Sequence, residues 1–176
     1  RVLPRRAAEL IEALRLVPHP EGGFYREVFR SGHSVMPDDA RGRRSAVTTI
    51  YYVLPEGSYS RWHRVESDEV WHFYEGAPLE LLEVSPSGHA LRRHRLGGVA
   101  EGTSPVCTIA AGNWQAARPL GAYALVGCTV APGFEFDDFQ LLADVPHVAD
   151  VVRSSWPDVA RLAKEEGLKV ALSGLG

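Results

Sequence analysis

The stretch from Gly57 to Gly76 reads GSYSRWHRVESDEVWHFYEG, and its punctuation decides how the chain folds. Gly57, His63, Glu69 and Gly76 stand so that five, five and six residues intervene. A turn glycine opens a strand carrying His63, the polar run Glu66, Ser67 and Asp68 reverses the chain, and Glu69 begins the returning strand. Across such a hairpin His63 and Glu69 project from neighbouring strands onto one face. An imidazole and a carboxylate so placed form half of a metal site or an acid–base pair, or simply hydrogen-bond each other at a barrel rim. Alternation along the returning strand puts Glu69, Trp71 and Phe73 together, so Trp71 and Phe73 line any pocket that Glu69 faces, while His72 turns away. Arg61 shares the His63 side of its own strand and is a candidate inward cation.

Outward from this stretch, short aromatic and β-branched runs alternate with Gly, Pro, Ser and Asn clusters. The runs are Phe24–Phe29, Ala46–Leu54, Glu69–Tyr74, Leu79–Val84, Val106–Ala110, Ala122–Val130 and Phe134–Leu142. Strands this short at this spacing predict a sandwich or barrel over about residues 22–145. Leu10, Ile11 and Leu14 give helical spacing within 4–16, ended by Pro18, Pro20, Gly22 and Gly23. At the other end Ser155 as N-cap, Pro157 in the first turn and the stripe Val159, Leu162, Ala163 predict a closing helix over 156–166, stopped by Gly167. The polar segment Ser31–Arg44 reads as a mobile loop at the barrel mouth or an interface. There is no internal repeat and no linker, so residues 1–176 read as one mainly β domain with a short helix at each end.

Composition narrows the function classes. With 45% hydrophobic and 23% charged residues over 176, the chain is an ordinary globular one. Its net charge of −3, with Lys and Arg dispersed, argues against nucleic acid as a partner. Cys107 and Cys128 form no CxxC pair and read as buried apolar residues. No apolar run approaches the roughly 18 residues of a membrane span. The basic start, Arg1 to Arg6, has no apolar signal core after it, so the expectation is a cytoplasmic protein.

The spacing around His63 also matches the first cupin motif, G-x5-H-x-H-x3-E-x6-G, except that Val65 stands at the second histidine. Four blocks resemble the DUF985 family of cupins: PHPEGGFYRE (Pro18–Glu27), HRVESDEVWHFYEG (His63–Gly76), AAGNWQAARP (Ala110–Pro119) and VGCTVAPGFEFDDFQL (Val126–Leu141). The resemblance implies a double-stranded β-helix, a jelly-roll cupin barrel, usually a homodimer, with a small-molecule pocket inside. In the second cupin motif the histidine position aligns best with Gln115. The implied metal set is therefore reduced to His63, Glu69 and Gln115, a weak hold on a divalent ion such as zinc, nickel, manganese or iron.

Around that pocket, the simplest account of His19 and Glu21 in the PHPEGG block is turn hydrogen bonding. The next strand carries Tyr25 and Arg26. An arginine beside aromatics binds a carboxylate or phosphate, or forms a surface salt bridge, and the block's place in the family signature favours a pocket role for one of the two. Tyr51, Tyr52, Trp62 and Trp114 are core or pocket-wall candidates. In the run Phe134–Phe139, a strand would put Phe134, Phe136 and Asp138 on one face. Three functions compete. One is an isomerase or epimerase acting on a sugar-like or organic-acid-like metabolite by proton transfer at His63 and Glu69, with Tyr25 as the complementary acid. Another is a non-catalytic binding barrel with an eroded metal site. The third is a metal-dependent oxygenase or lyase.

Overall fold

The computed structural model describes residues 2–164. It begins with helix α1 (Arg5–Ala13), whose Ala7, Leu10 and Ile11 face inward at helical spacing. That stripe packs on Phe24, Val53 and Leu125. The helix stops short of the expected residue 16 because Arg15 adopts a left-handed φ of 56°, which turns the chain back toward the sheet. Strands β1 (Val17–Pro18), β2 (Phe24–Arg30), β3 (Ser34–Val35), β4 (Arg44–Ser45) and β5 (Thr48–Pro55) follow. Next come β6 (Ser60–Val65), β7 (Asp68–Gly76), β8 (Leu79–Val84), β9 (Leu91–Leu96) and β10 (Val106–Ile109). The series ends with β11 (Trp114–Pro119), β12 (Tyr123–Ala131) and β13 (Phe139–Leu141), then helices α2 (Pro146–Ser155) and α3 (Pro157–Ala160).

Two antiparallel sheets face each other. One has the order β1-β2-β5-β12-β7-β10, the other β13-β6-β11-β8-β9. Between them Tyr52, Leu54, Trp71, Leu79, Leu81 and Val126 fill one end of the barrel. Burying each such side chain contributes about 1.5–3 kcal/mol relative to exposure. This arrangement corrects the reading of the central stretch. β6 and β7 belong to different sheets, so Glu66 and Ser67 form a corner between sheets and not a hairpin turn. His63 and Glu69 therefore come from opposite layers of the barrel.

Besides β6, expected as the strand carrying His63, and the two-residue strands β1, β3 and β4, the strands β9 and β11 lie outside the runs marked in the sequence. β9 is LRRHRL, an edge strand whose charges face solvent, and it carries no apolar run to detect. The expected strand Phe134–Leu142 is mostly irregular: Phe136–Asp138 forms a 3-10 turn and Phe139–Leu141 alone pairs. The closing helix is also displaced. Chain 146–155 is already helical, with Val145, Val148 and Val152 buried, and Ser155 ends that helix instead of capping the next. Pro157 forces the break, since the residue before a proline is held out of the helical region, and Trp156 sits at φ −135°, ψ 58°. Both helices cover the outer face of the second sheet, packing on Trp62, Leu82, Val84 and Trp114. Residues 165 and 166 of the expected helix, and its stop Gly167, lie outside the described residues. No helix among the described residues is long and apolar enough to cross a membrane.

The segment from Ser31 to Arg44 is tied down at its end. β3 pairs with β4, and Arg44 holds Asp138 through two hydrogen bonds, Nε to Oδ2 at 2.9 Å and Nη2 to Oδ1 at 2.8 Å. Arg41 adds Nη1 bonds to Asp138 at 3.2 Å and to the Ser67 hydroxyl at 2.8 Å. Hydrogen bonding to Arg44 first, then Arg41, holds the Asp138 carboxyl below the usual carboxylate range. Asp138 is thus a buried anchor.

Candidate functional site

A cavity of about 220 Å³ opens between the sheets at the end opposite the packed core. Its deep end is made by Glu21, His63 and Glu69, each buried. Ile50, Val65, Cys128 and Val130 form apolar walls. The rim carries Tyr25, Phe134, Phe136 and Phe139 with Glu27, Arg30 and Glu135. Val65, at the position of the second motif histidine, turns its side chain into this space.

Glu21 reaches the cavity because of its glycines. At Gly22, φ is +112° and an added Cβ would collide with the Tyr59 carbonyl oxygen, so the turn can lie flush against the start of β6. The Arg61 N–H donates to the Glu21 carbonyl at 2.7 Å, and the Tyr52 hydroxyl donates to the Gly22 carbonyl. That seat brings Glu21 Oε2 within 2.8 Å of His63 Nε2. The other ring nitrogen, Nδ1, lies 2.6 Å from the Arg61 carbonyl. A carbonyl only accepts, so Nδ1 carries a proton, and Nε2–H donates to the carboxylate: His63 is an imidazolium paired with Glu21. Burial works against both charges. For His63 it is outweighed by the Glu21 charge and hydrogen bond, which raise its pKa. For Glu21 it is outweighed chiefly by the charge of His63, and the carboxyl is held at about 2. His19 behaves differently. Its Nδ1 accepts the Glu21 backbone N–H at 3.1 Å and burial lowers its pKa, so it is a neutral neighbour stacked edge-on to Tyr25.

Glu69 occupies the opposite wall. The Trp71 indole N–H donates to Gln115 Oε1 at 2.9 Å, and Gln115 Nε2 donates to Glu69 Oε2 at 2.7 Å. Because an indole only donates, Trp71 fixes which way the Gln115 amide points. Burial pushes the Glu69 carboxyl up to about 7. The Glu21 charge adds to this, while His63 and the Gln115 bond oppose it. The neighbouring Cys128 thiol is likewise pushed well above its ordinary range by burial.

Of the residues singled out in the sequence, the structure brings His63, Glu69 and Tyr25 to one cavity. Gln115 lies just behind Glu69. Arg26, Arg61, Trp71, Phe73 and Trp114 do not line the cavity. Arg26 sits between Tyr25 and Glu27, both of which line it, and so belongs to the outer face of β2. The Arg61 guanidinium instead reaches the Ala163 carbonyl at 3.3 Å. Trp71 and Phe73 do share the inner face with Glu69, but β7 carries them away from the opening into the packed core. Trp114 faces the C-terminal helices, under the Arg64 guanidinium at 4.6 Å. The set His63, Glu69 and Gln115 does not fit a bound divalent ion in this arrangement. Both ring nitrogens of His63 and the amide oxygen of Gln115 are engaged within the protein, and no group of three or more His, Cys, Asp or Glu among the described residues could hold a metal.

Glu21, read in the sequence as a turn residue, and the phenylalanines of Phe134–Phe139, read as part of a strand, are cavity residues that the sequence reading did not assign to the site. The available signal for Glu21 was a carboxylate directly before two glycines, a place where backbone can approach another strand closely. Phe134, Phe136 and Phe139 do not alternate as in a strand, because the 3-10 turn rotates all three toward one space. Their rings meet at 5.0–6.3 Å and steep angles.

Two facing antiparallel sheets with a dead-end cavity between them define a barrel of the cupin type. The chain belongs to the Cupin superfamily family DUF985, whose model matches residues 8–142. It is similar to a hypothetical protein from Leishmania major, with 32% identity and a TM-score of 0.76 over 91% of this chain and 97% of that one. A protein from Shewanella oneidensis is similar to the same degree, at 32% identity and 0.76, covering 91% and 98%. Oxalate decarboxylase from Bacillus subtilis shares the fold, at 15% identity and a TM-score of 0.54 over 85% of this chain and 37% of that one. No curated protein matches the sequence.

Proposed function

We propose that the chain is a small-molecule enzyme of the isomerase or epimerase type that moves a proton on and off its ligand at Glu69. The observation that carries this reading is the shared cavity: a buried carboxyl balanced near pH 7 faces the same enclosed space as a fixed imidazolium–carboxylate pair. A group half-protonated at working pH takes and returns a proton with little driving force lost in either direction. In the ionised form Glu69 removes a proton from carbon next to a ligand carbonyl. The C–H electron pair moves to the carbonyl oxygen, which the Tyr25 hydroxyl protonates. Return of the proton from Glu69 to the neighbouring carbon, as the Tyr25 phenolate takes back a proton from the other enediol hydroxyl, gives the isomer. The epimer forms when the enol turns its opposite face to Glu69 before the same carbon is reprotonated and Tyr25 recovers its proton from the enol oxygen. His63 and Glu21 take no part in the transfer. Their fixed charges set the field in which Glu69 titrates. At about 220 Å³ the cavity lies below the roughly 300–1,000 Å³ of drug-sized sites, which suits a small metabolite.

The test is exchange in D2O. Incubation with a panel of aldoses, ketoses and keto acids, followed by proton NMR, should show loss of one C–H signal, abolished by Glu69→Gln. A ligand that binds and exchanges no carbon-bound proton would sink the reading. The internal saturation of His63 and Gln115 supports a second reading, a barrel that holds its ligand without reacting. That reading expects a compound that raises the melting temperature and is recovered unchanged.

A further inference from the structure

We infer that this cavity selects a ligand carrying a positively charged amine, quaternary or protonated, seated at its mouth between phenylalanine rings and carboxylates. The inference rests on the reading above only in taking the cavity as a ligand site.

Charge balance supplies the first argument. The lining carries four acidic side chains, Glu21, Glu27, Glu69 and Glu135, against two cations, His63 and Arg30. His63 is committed to Glu21. At the mouth one guanidinium serves two carboxylates and a carbonyl: Arg30 donates to Glu27 at 2.7 and 3.2 Å, to Glu135 at 2.9 Å and to the Phe134 carbonyl at 2.9 Å. The mouth thus keeps one negative charge in excess, and Arg30 is already held by acceptors where an incoming carboxylate or phosphate would need it.

The rings supply the second argument. Phe134, Phe136 and Phe139 meet at interplanar angles of 70–80°, forming an aromatic corner beside those carboxylates. The faces of such rings are negative, which attracts cations within about 6 Å and repels anions. Phe139 already lies in near-parallel contact with the His63 imidazolium, centroids 5.3 Å apart at 25°. An ammonium at the corner would gain ring faces and the surplus carboxylate charge together, whereas an anion would meet both as repulsion.

The experiment uses three probes of similar shape and different charge: tetramethylammonium, tert-butanol and pivalate. Binding is followed through the aromatic side-chain NMR signals of the intact protein. Tetramethylammonium should bind at least about ten-fold more tightly than tert-butanol, with pivalate weakest. In Glu27→Gln/Glu135→Gln, Arg30 loses both counter-charges. Tetramethylammonium should then weaken at least about ten-fold and pivalate should become the preferred probe. Because that variant disturbs a rim network, its fold is checked by melting temperature, and the wild-type series stands without it. Pivalate binding as well as tetramethylammonium to the wild type, or no probe binding at all, would overturn the inference. Proton exchange is not measured in this experiment. Cation selection without exchange overturns the enzymatic reading alone, and exchange on ligands that carry no amine, with pivalate preferred, overturns this one alone.

Discussion

Replacing Glu69 with glutamine keeps the shape of the side chain and removes its titration, so it isolates what burying this carboxyl does to the fold. The carboxyl is raised from 4.5 to about 7, mainly by burial. Each pH unit of displacement corresponds to about 1.4 kcal/mol, so the preference of the folded state for the protonated form is about 3 kcal/mol. A raised carboxyl contributes fully below the unfolded value, where both states are protonated. It loses that contribution as pH rises through about 7, because the folded state then holds the proton that the unfolded state has released. Glu21, held at about 2, works in the opposite sense, and its contribution stays constant above its unfolded value of 4.5. The difference between wild type and Glu69→Gln should therefore shift by about 3 kcal/mol against the wild type between pH 4 and pH 8. Urea unfolding followed by tryptophan fluorescence, repeated across that range, measures both curves. Comparing the two proteins cancels the titrations they share. Curves that run parallel, or a difference that moves in favour of the wild type with rising pH, would refute the burial argument for Glu69.

Glu21→Gln removes the carboxylate that faces the His63 imidazolium, and should cost about 3–5 kcal/mol at neutral pH, as does breaking other buried pairs from one side. The raised His63 contributes below its unfolded value of 6.5 and loses that contribution as pH rises through its folded value. NMR titration should show His63 losing its proton at lower pH in the variant, and an unchanged titration would disprove the pairing. Asp138→Ala removes the anchor of Arg41 and Arg44, with an expected loss on the order of 2–3 kcal/mol and faster proteolysis within residues 31–45. A cleavage rate equal to wild type would show that the ribbon is held by other contacts. Trp71→Phe deletes the donor that fixes the Gln115 amide and should cost about 1–2 kcal/mol in the same unfolding assay. Full stability in that variant would mean the Trp71–Gln115–Glu69 chain contributes nothing.

Much of the barrel is legible along the chain because strand patterning is local. The run Leu79–Val84 coincides with its strand, and the runs around β2, β5, β7 and β12 fall within one to two residues. β9 escaped because an edge strand facing solvent has no apolar pattern to betray it. The last segment misled because Phe134 and Phe136 start a strand-like alternation, while the backbone from Phe136 to Asp138 winds through a 3-10 turn. In that case aromatic spacing is set by the cavity the rings fill, not by a pleat.

For the site, the sequence by itself carried His63 and Glu69 in a stretch that resembles the first cupin motif, with Val65 where that motif has its second histidine, and the resemblance implied the barrel. These residues lie within one continuous stretch of twenty residues, Gly57 to Gly76. The tertiary structure alone decided their chemistry. Glu21 lies 42 positions before His63, and Gln115 lies 46 after Glu69; both meet their partners only when the two sheets close. A carboxylate and an imidazole on the same stretch suggested an acid–base couple. The folded chain gives His63 a different carboxylate and leaves Glu69 to titrate near neutrality, because charge pairing and desolvation depend on distances through space.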